Sequence, residues 1–312
     1  YSYAAPSSSA NSPNETCTGS NGDYYTHPAF TFGSNNIRGF WMGKFELSSN
    51  YPGNEHLDDN YDHLTIRILP NIKTWCNEPI SNFNTKIQNM QTSSNIYGLN
   101  TSRTNTDSHM ITSYEWGAVA YLANSKYGRC INGSCNDITL NGSSSYITGI
   151  GGSNVTTTNR YNGTNGVLAS TTGNITGVYD MSGGATEYVM GNMSSGNDSY
   201  IFNPSYSKLS SSWYTNSNAK YLVTYTYGPD ETGQIAYNRS RLGDAVGEVS
   251  VTNSTNWNSD SMTFPSLLDN WAWLLRGGQV TGGASSGIFA SYCYDGSEKE
   301  YYSSRAILLS LK

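Results

Sequence analysis

No run of about 18 consecutive apolar residues occurs anywhere in the 312-residue chain, so it offers no helix that could span a membrane. Charge is scarce as well. Asp, Glu, Lys and Arg make up 13% of the residues, and the 17 basic ones are scattered under a net charge of −6. That leaves no basic stripe for a phosphate backbone and points away from nucleic acid as a partner. Leu, Ala, Glu and Lys are too few for a helical bundle. There are only four histidines, and of the five cysteines only Cys130 and Cys135 lie close together, so a zinc site, the competing reading of that pair, lacks a second CxxC-like pair to support it.

What replaces these residues is Ser, Thr, Asn and Gly in abundance, together with 25 Tyr. That mixture favours short strands joined by hydrogen-bonding turns, a β-rich class with few helices. No internal repeat and no clean linker divide the chain. We therefore expect a single elaborated domain over 27–312, preceded by a polar tail over 1–26 whose first residue is Tyr rather than Met. A processed chain is expected, with a signal peptide or a membrane-anchoring or self-assembling segment preceding Tyr1.

Cys130 and Cys135 enclose Ile-Asn-Gly-Ser, a turn-forming insert, and are expected to form a local disulfide. Cys17 with Cys76 is a second pairing, which leaves Cys293 over and places the chain in an oxidising compartment. Eleven Asn-X-Ser/Thr sequons, among them Asn14, Asn141, Asn154, Asn174 and Asn253, mark expected surface loops. Composition alone would supply roughly eight, so they demand no glycosylation.

Along the chain, 39–47 (GFWMGKFEL) reads as a strand apolar on both faces, inside a sheet. Leu64, Ile66 and Ile68 alternate as in a strand. Ser81 is a candidate N-cap for a helix over 80–91 with Phe83, Ile87 and Met90 on one stripe. A stronger helix covers 112–128. There Thr112 and Glu115 form a capping box, Trp116, Val119, Ala120 and Ala123 make the apolar stripe, and Lys126 falls in the last turn. Residues 130–174 read as surface loops with little chemistry, 221–227 as a half-buried strand with Tyr221, Val223, Tyr225 and Tyr227 on one face, and 229–265 as a polar insert. Residues 272–275 and 305–311 supply two more strands.

Two stretches stand out, 177–191 (GVYDMSGGATEYVMG) and 273–278 (WLLRGG), in which Gly pairs meet aromatic and charged residues. Their pairing resembles the formylglycine-generating-enzyme (sulfatase-modifying factor) family, which carries "GLYDMSGNVWEW" and "RGGSW" in this order. The helix after Asp107-Ser108-His109-Met110 is similar to the family's first helix. The resemblance implies an α+β, C-type-lectin-like fold in which the closing strand pairs with the opening one, and it allows a structural calcium whose ligands it does not identify. It does not imply the family's catalysis. The enzymes need two cysteines after the RGG-like motif, and here that segment holds only Cys293. The related sulfoxide synthases need three histidines in a pattern that His27, His56, His63 and His109 do not form.

Asp180 and Glu187 are two carboxylates available for acid-base work, but neither motif holds a nucleophile. We therefore read Asp180 as a backbone acceptor in a turn, Glu187 as part of a buried network near Trp273 and Arg276, and Arg276, Gly277 and Gly278 as a loop-pinning framework. The cluster Glu55, His56, Asp58, Asp59, Asp62 and His63 lacks EF-hand spacing and reads as a solvated acidic loop, with no metal site assigned. Residues 279–304 combine Tyr, Ser, Gly and Ala, the composition of an adaptable binding surface. The candidate ligand contacts are Gln279, Thr281, Ser291, Tyr292, Tyr294, Asp295, Tyr301, Tyr302 and Ser303. This segment corresponds to the variable face of lectin-fold proteins diversified by retroelements, which the chain resembles in its RGG motif and closing strand. The expected function is non-catalytic binding of a protein or glycan on another cell or particle, from a cell or virion surface. A filament subunit is the alternative, and an oxidase is a third reading that the missing cysteine pair opposes.

Overall fold

The computed structural model describes residues 26–50, 64–194, 204–210, 213, 216–226, 242–249, 251–252, 254–263 and 271–311. Over these residues the chain is a mixed α+β molecule with few helices and several small sheets. Strands are numbered in chain order. Three two-stranded ribbons pair β1 with β2 (Thr31–Phe32, Asn35–Asn36), β4 with β5 (Ser48–Ser49, Ile66–Arg67) and β7 with β8 (Cys130–Ile131, Ser134–Cys135). The last ribbon is clamped by the expected Cys130–Cys135 disulfide. Cys76 is a buried thiol, and its suggested partner Cys17 lies outside the described residues.

One larger sheet orders β3 (Trp41–Met42), β14 (Ala306–Ser310) and β6 (Thr106–Met110), all antiparallel. The closing strand thus pairs with the opening one. The other orders β10 (Val223–Thr226), β9 (Thr186–Ser194), β11 (Trp273–Arg276) and β12 (Ser291–Tyr294), and β13 (Tyr302–Ser303) runs parallel to the start of β9. β9 is the spine of this sheet. Among the described residues the α-helices are α1 (Ile80–Gln88), α2 (Ser113–Ala123) and the single turn α3 (Pro204–Ser207), with several short 3-10 turns besides.

α2 forms where its cap demands. Glu115 accepts hydrogen bonds from the Thr112 amide and hydroxyl at 2.8 Å each, and Thr112 accepts the Glu115 amide, so the expected box is complete. The helix ends at Ala123 with Asn124 as C-cap, so Lys126 is not in its last turn. Trp116, Ala120 and Ala123 are buried in a cluster with Val223, Tyr225, Leu274 and Phe289, and Val119 packs against it. α1 is capped by Pro79 rather than Ser81, because proline's fixed φ already suits a helix start and the Ser81 hydroxyl turns to Asn82 instead.

Other expectations need correction. Within 39–47 only Trp41 and Met42 are strand, and they form an edge with Trp41 74% exposed, while Phe45, Glu46 and Leu47 turn inward as irregular chain. Residues 130–174 are more than surface loop. Asn141, Thr148 and Ile150 are fully buried, as is Asn192, so two sequons sit in the interior. Exposed Asn154 and Asn174 fit the expectation, while Asn14, Asn253 and the 55–63 acidic cluster lie outside the described residues. Tyr221, Val223 and Tyr225 alternate inward as expected, and Tyr227 is not described.

The two sheets meet at a buried charge cluster. Arg305, fully buried, donates to Glu187 through Nε (3.0 Å) and Nη2, and through Nη1 to the Gly43 carbonyl at 2.8 Å. Glu187 therefore pairs with Arg305 and not with its cross-strand neighbour Arg276. Asp180 accepts the Gly149 amide and the Asn141 side chain, so it is a backbone acceptor as expected, but it joins its turn to a segment 31 residues away instead of closing the turn itself. Glu46 accepts the Thr74 hydroxyl and the Ala185 amide. It packs so closely on Gly184 that a Cβ there would meet its Oε1 at 2.3 Å. Burial, with the Asp180 and Glu187 charges, holds the Glu46 carboxyl well above its usual range.

Replacing Arg305 by Met strands buried carboxylates and is expected to cost about 3–5 kcal/mol. Urea denaturation of Arg305→Met, and of the double variant Arg305→Met/Glu187→Leu, checks it: the second change should restore part of the loss, and a fully additive penalty would show that the pair is not the strut.

Candidate functional site

Arg276, at the end of β11, fixes the chain that forms the candidate face. Its Nε donates to Ala290 O (3.0 Å), Nη1 to Asp244 O (2.9 Å) and Nη2 to Ala245 O (2.9 Å) and Ile288 O (3.4 Å). Around it, Trp116 Nε1 donates to Ile288 O, Asn256 to Phe289 O, and Asp260 accepts the Phe289 amide. Residues 288–290 are thereby held from four directions. The 229–265 segment, expected to be a polar insert, contributes buried Asp244, Ala245, Val246 and Val249 to this brace.

The two glycine-rich motifs touch through the Gly277 carbonyl, which accepts the amides of Gly183 (3.1 Å) and Gly287 (3.2 Å). Gly278 has φ +70°, and a Cβ there would meet the Ser286 side chain at 2.4 Å. No side chain fits that corner, which launches 279–287 away from the core. The chain then returns as β12 against β11.

The strand period sorts the candidate contacts. Tyr292 and Tyr294 are half-buried on one face of β12, whereas Ser291 and Cys293 point inward and are buried. Gln279, Asp295 and Tyr301 are half-buried, and Thr281 is exposed. Three candidates are corrected. The Ser291 hydroxyl bonds to Thr263 O and the Ser303 hydroxyl to Trp75 O, both inside the fold. Tyr302 is only 9% exposed and packs edge-on against Tyr188, Tyr294 and Tyr301. Trp273, beside them, is buried framework as expected.

Two residues join the face unforeseen. Trp271 lies 6.1 Å from Tyr294, ring to ring, and the Lys299 ammonium sits 5.0 Å from the centre of the Tyr294 ring. An aromatic residue just before β11 and a lysine beside a Tyr pair were signals available in the sequence. Glu298 and Glu300 are exposed on the same loop.

A second unforeseen constellation is chemical in appearance. His109 is fully buried, with Nδ1 2.8 Å from Asp107 Oδ1 and Nε2 2.9 Å from Glu115 Oε1, and its ring stacks on Phe32. Tyr221 donates to Asp107, and Arg103 lies beside it at 3.1 Å. Burial opposes the imidazolium, yet Glu115 and Asp107 outweigh it and push His109 up to about 9. A doubly protonated ring between two carboxylates has no lone pair for base catalysis, so it works as a charged rivet between β6 and α2. Among the described residues no group of three or more His, Cys, Asp or Glu side chains is arranged to hold a metal ion.

No protein-family model matches the chain, and a comparison with curated proteins found no match. No helix of the described residues is long and apolar enough to cross a membrane.

The sign of the His109 effect on stability is fixed. Its folded pKa of about 9 lies above its ordinary 6.5, so its stabilisation is complete below pH 6.5 and is lost as pH rises through about 9. Thermal melts from pH 6 to 9.5 should show the parent losing on the order of 3 kcal/mol more than His109→Asn over that window. Parallel profiles would refute the charged rivet.

Proposed function

We propose that the chain is a non-catalytic, surface-displayed binding protein with a C-type-lectin-like fold of the formylglycine-generating-enzyme type. Its ligand, a protein or glycan on another cell or particle, is recognised by the face built from 279–304. The observation that carries this reading is the half-exposed pair Tyr292 and Tyr294, packed at their base against Trp273, Leu275 and Tyr302 on a strand whose backbone is fixed from beneath, with Trp271, Tyr301 and Lys299 beside it. Tyr and Trp give large contact area at low entropic cost, and a rigid platform avoids the ordering penalty that weakens flexible binders.

The closing strand paired with the opening one, and the two glycine-rich motifs in mutual contact, support the lectin-type reading of the fold. Cys293 lies inward on β12, 6% exposed, so in this reading it is a packing residue and the oxidase chemistry of the resembled enzymes is not used. The Cys130–Cys135 disulfide fits an extracellular or cell-surface location.

The test separates face from frame. Tyr292→Ala and Tyr294→Ala, assayed where each variant is fully folded, should each weaken binding to whole target cells or particles by about tenfold or more, with Tyr294→Ala the less stable of the two because its ring packs on Tyr302. Tyr302→Ala, in contrast, should destabilise the fold by about 3 kcal/mol. Unchanged binding in the double variant Tyr292→Ala/Tyr294→Ala would sink the assignment.

A further inference from the structure

A cavity of about 170 Å³ opens beside the loop that Gly278 launches, between that loop and the segments carrying Asp137 and Asp260. Its ionisable lining residues are these two acids, and the walls between them include Ile138, Leu140 and Ile288. Asp260 is 3% exposed. Its Oδ2 accepts the Phe289 amide at 2.9 Å, and the Ala290 amide lies beside the same carboxylate. Among the described residues no Lys, Arg or His forms an ion pair with it. Arg276, the nearest cation by its electrostatic effect, spends its donors on backbone carbonyls. Asp137 is exposed at the other side.

A buried carboxylate without a counter-ion costs free energy when ionised, and either a proton or a bound cation relieves it. The shape of the cavity says which kind. Two acids repel phosphate and carboxylate ligands, and although Ser182, Asn258 and Ser286 add polar groups to the lining, Ile138, Leu140 and Ile288 offer no ligand to a calcium ion, which takes six or more oxygens. An ammonium head on an alkyl stem satisfies both parts, the head between the carboxylates and the stem against Ile138, Leu140 and Ile288.

The cavity also adjoins the aromatic face. Ser286 lines it, while the Tyr292 hydroxyl lies 3.5 Å from the carbonyl of Ser285 in the same turn. We infer that this cavity receives the ammonium group of a lysine side chain presented by a protein partner that covers Tyr292 and Tyr294. The inference rests on the reading of 279–304 as a binding face and narrows its ligand to a protein with an exposed lysine.

Occupancy should depend on pH. Burial, reinforced by Asp137, pushes Asp260 up to about 7, against the pull of the Phe289 amide and Arg276. Arg129, which donates to the Asp137 carbonyl, is the other charge nearby. A cation binds the ionised carboxylate, so affinity should rise as pH increases through 7.

The experiment is a titration of the full chain followed by NMR at the amides of 286–290, with Nα-acetyl-lysine amide, its neutral norleucine counterpart, butylammonium chloride and calcium chloride as probes. At pH 8 the lysine amide should give saturable shifts, weakened about tenfold by Asp260→Asn, by the exposed change Asp137→Asn, or by moving to pH 5. Tyr292→Ala should leave them intact. Norleucine amide binding equally well, calcium producing the same shifts, or indifference to both Asp variants would each overturn the inference. Butylammonium binding more tightly than the lysine amide would overturn the protein source. Loss of target binding in the tyrosine variants together with no lysine-amide binding would sink this inference while leaving the binding face standing.

Discussion

Arg305 has to be charged, buried and paired at once, and the rest of the fold is arranged to allow it. Burial alone would disfavour the guanidinium, but Glu187, Asp180 and Glu46 around it more than compensate and raise its pKa further. Three carboxylates and one cation in a dry interior cannot all stay ionised. The surplus is handled by hydrogen bonding and by Glu46, whose carboxyl is held well above its usual range. Arg305 precedes the closing strand, Glu187 begins the spine of the other sheet, and Gly43 belongs to the opening segment. One side chain therefore fixes the relative positions of three parts of the chain far apart in sequence.

From that corner the order passes to the face by contact. Asp180 and Glu187 bracket the turn in which Gly183 and Gly184 sit, and Gly183 reaches the Gly277 carbonyl. Arg276, next to it, grips the backbone of 288–290, and that backbone becomes β12. The His109 rivet secures the opposite end by joining β6 to the cap of α2, whose Trp116 also holds Ile288. Every step uses a charged or strongly polar group inside the protein, where an unpaired partner would be costly. Such networks fix one arrangement, because the alternatives leave charges unsatisfied.

What the sequence made legible follows the range of the interactions. The α2 capping box, the 130–135 disulfide and the alternation of Tyr221, Val223 and Tyr225 rest on residues within a few positions of each other, and all three are present. Asp180 as a backbone acceptor and Arg276 as a loop pin were readable because glycine pairs announced close backbone approach, although the 141–149 donors of Asp180 were not. The Glu187–Arg305 pair was not, since 118 residues separate its members and Arg276 offered a nearer partner. The 141–150 segment looked like loop because its polar residues bond inward to Asp180 and to the 69–74 turn, which composition cannot reveal. Ser291 and Ser303 were misplaced for a related reason: a serine bonded to a buried carbonyl has the same composition as one at a surface.

The separation between frame and face is what gives the binding reading its physical content. On β12 the residues Ser291 and Cys293 and the backbone pairs to β11 are committed to the core, while Tyr292 and Tyr294 lie on the other side of the strand, half exposed and half packed on the cluster around Trp273, Leu275 and Tyr302. Exchanging an outward side chain alters what the face can touch, but it breaks none of the hydrogen bonds that Arg276, Trp116, Asn256 and Asp260 make beneath it. Changes at exposed positions such as Thr281 usually shift stability by no more than about 0.5 kcal/mol, whereas a change at Arg276 would release several buried carbonyls together. A platform of this kind can alter its ligand while keeping its fold, because most of the energy that fixes its geometry lies in buried groups such as Arg276 and Trp116.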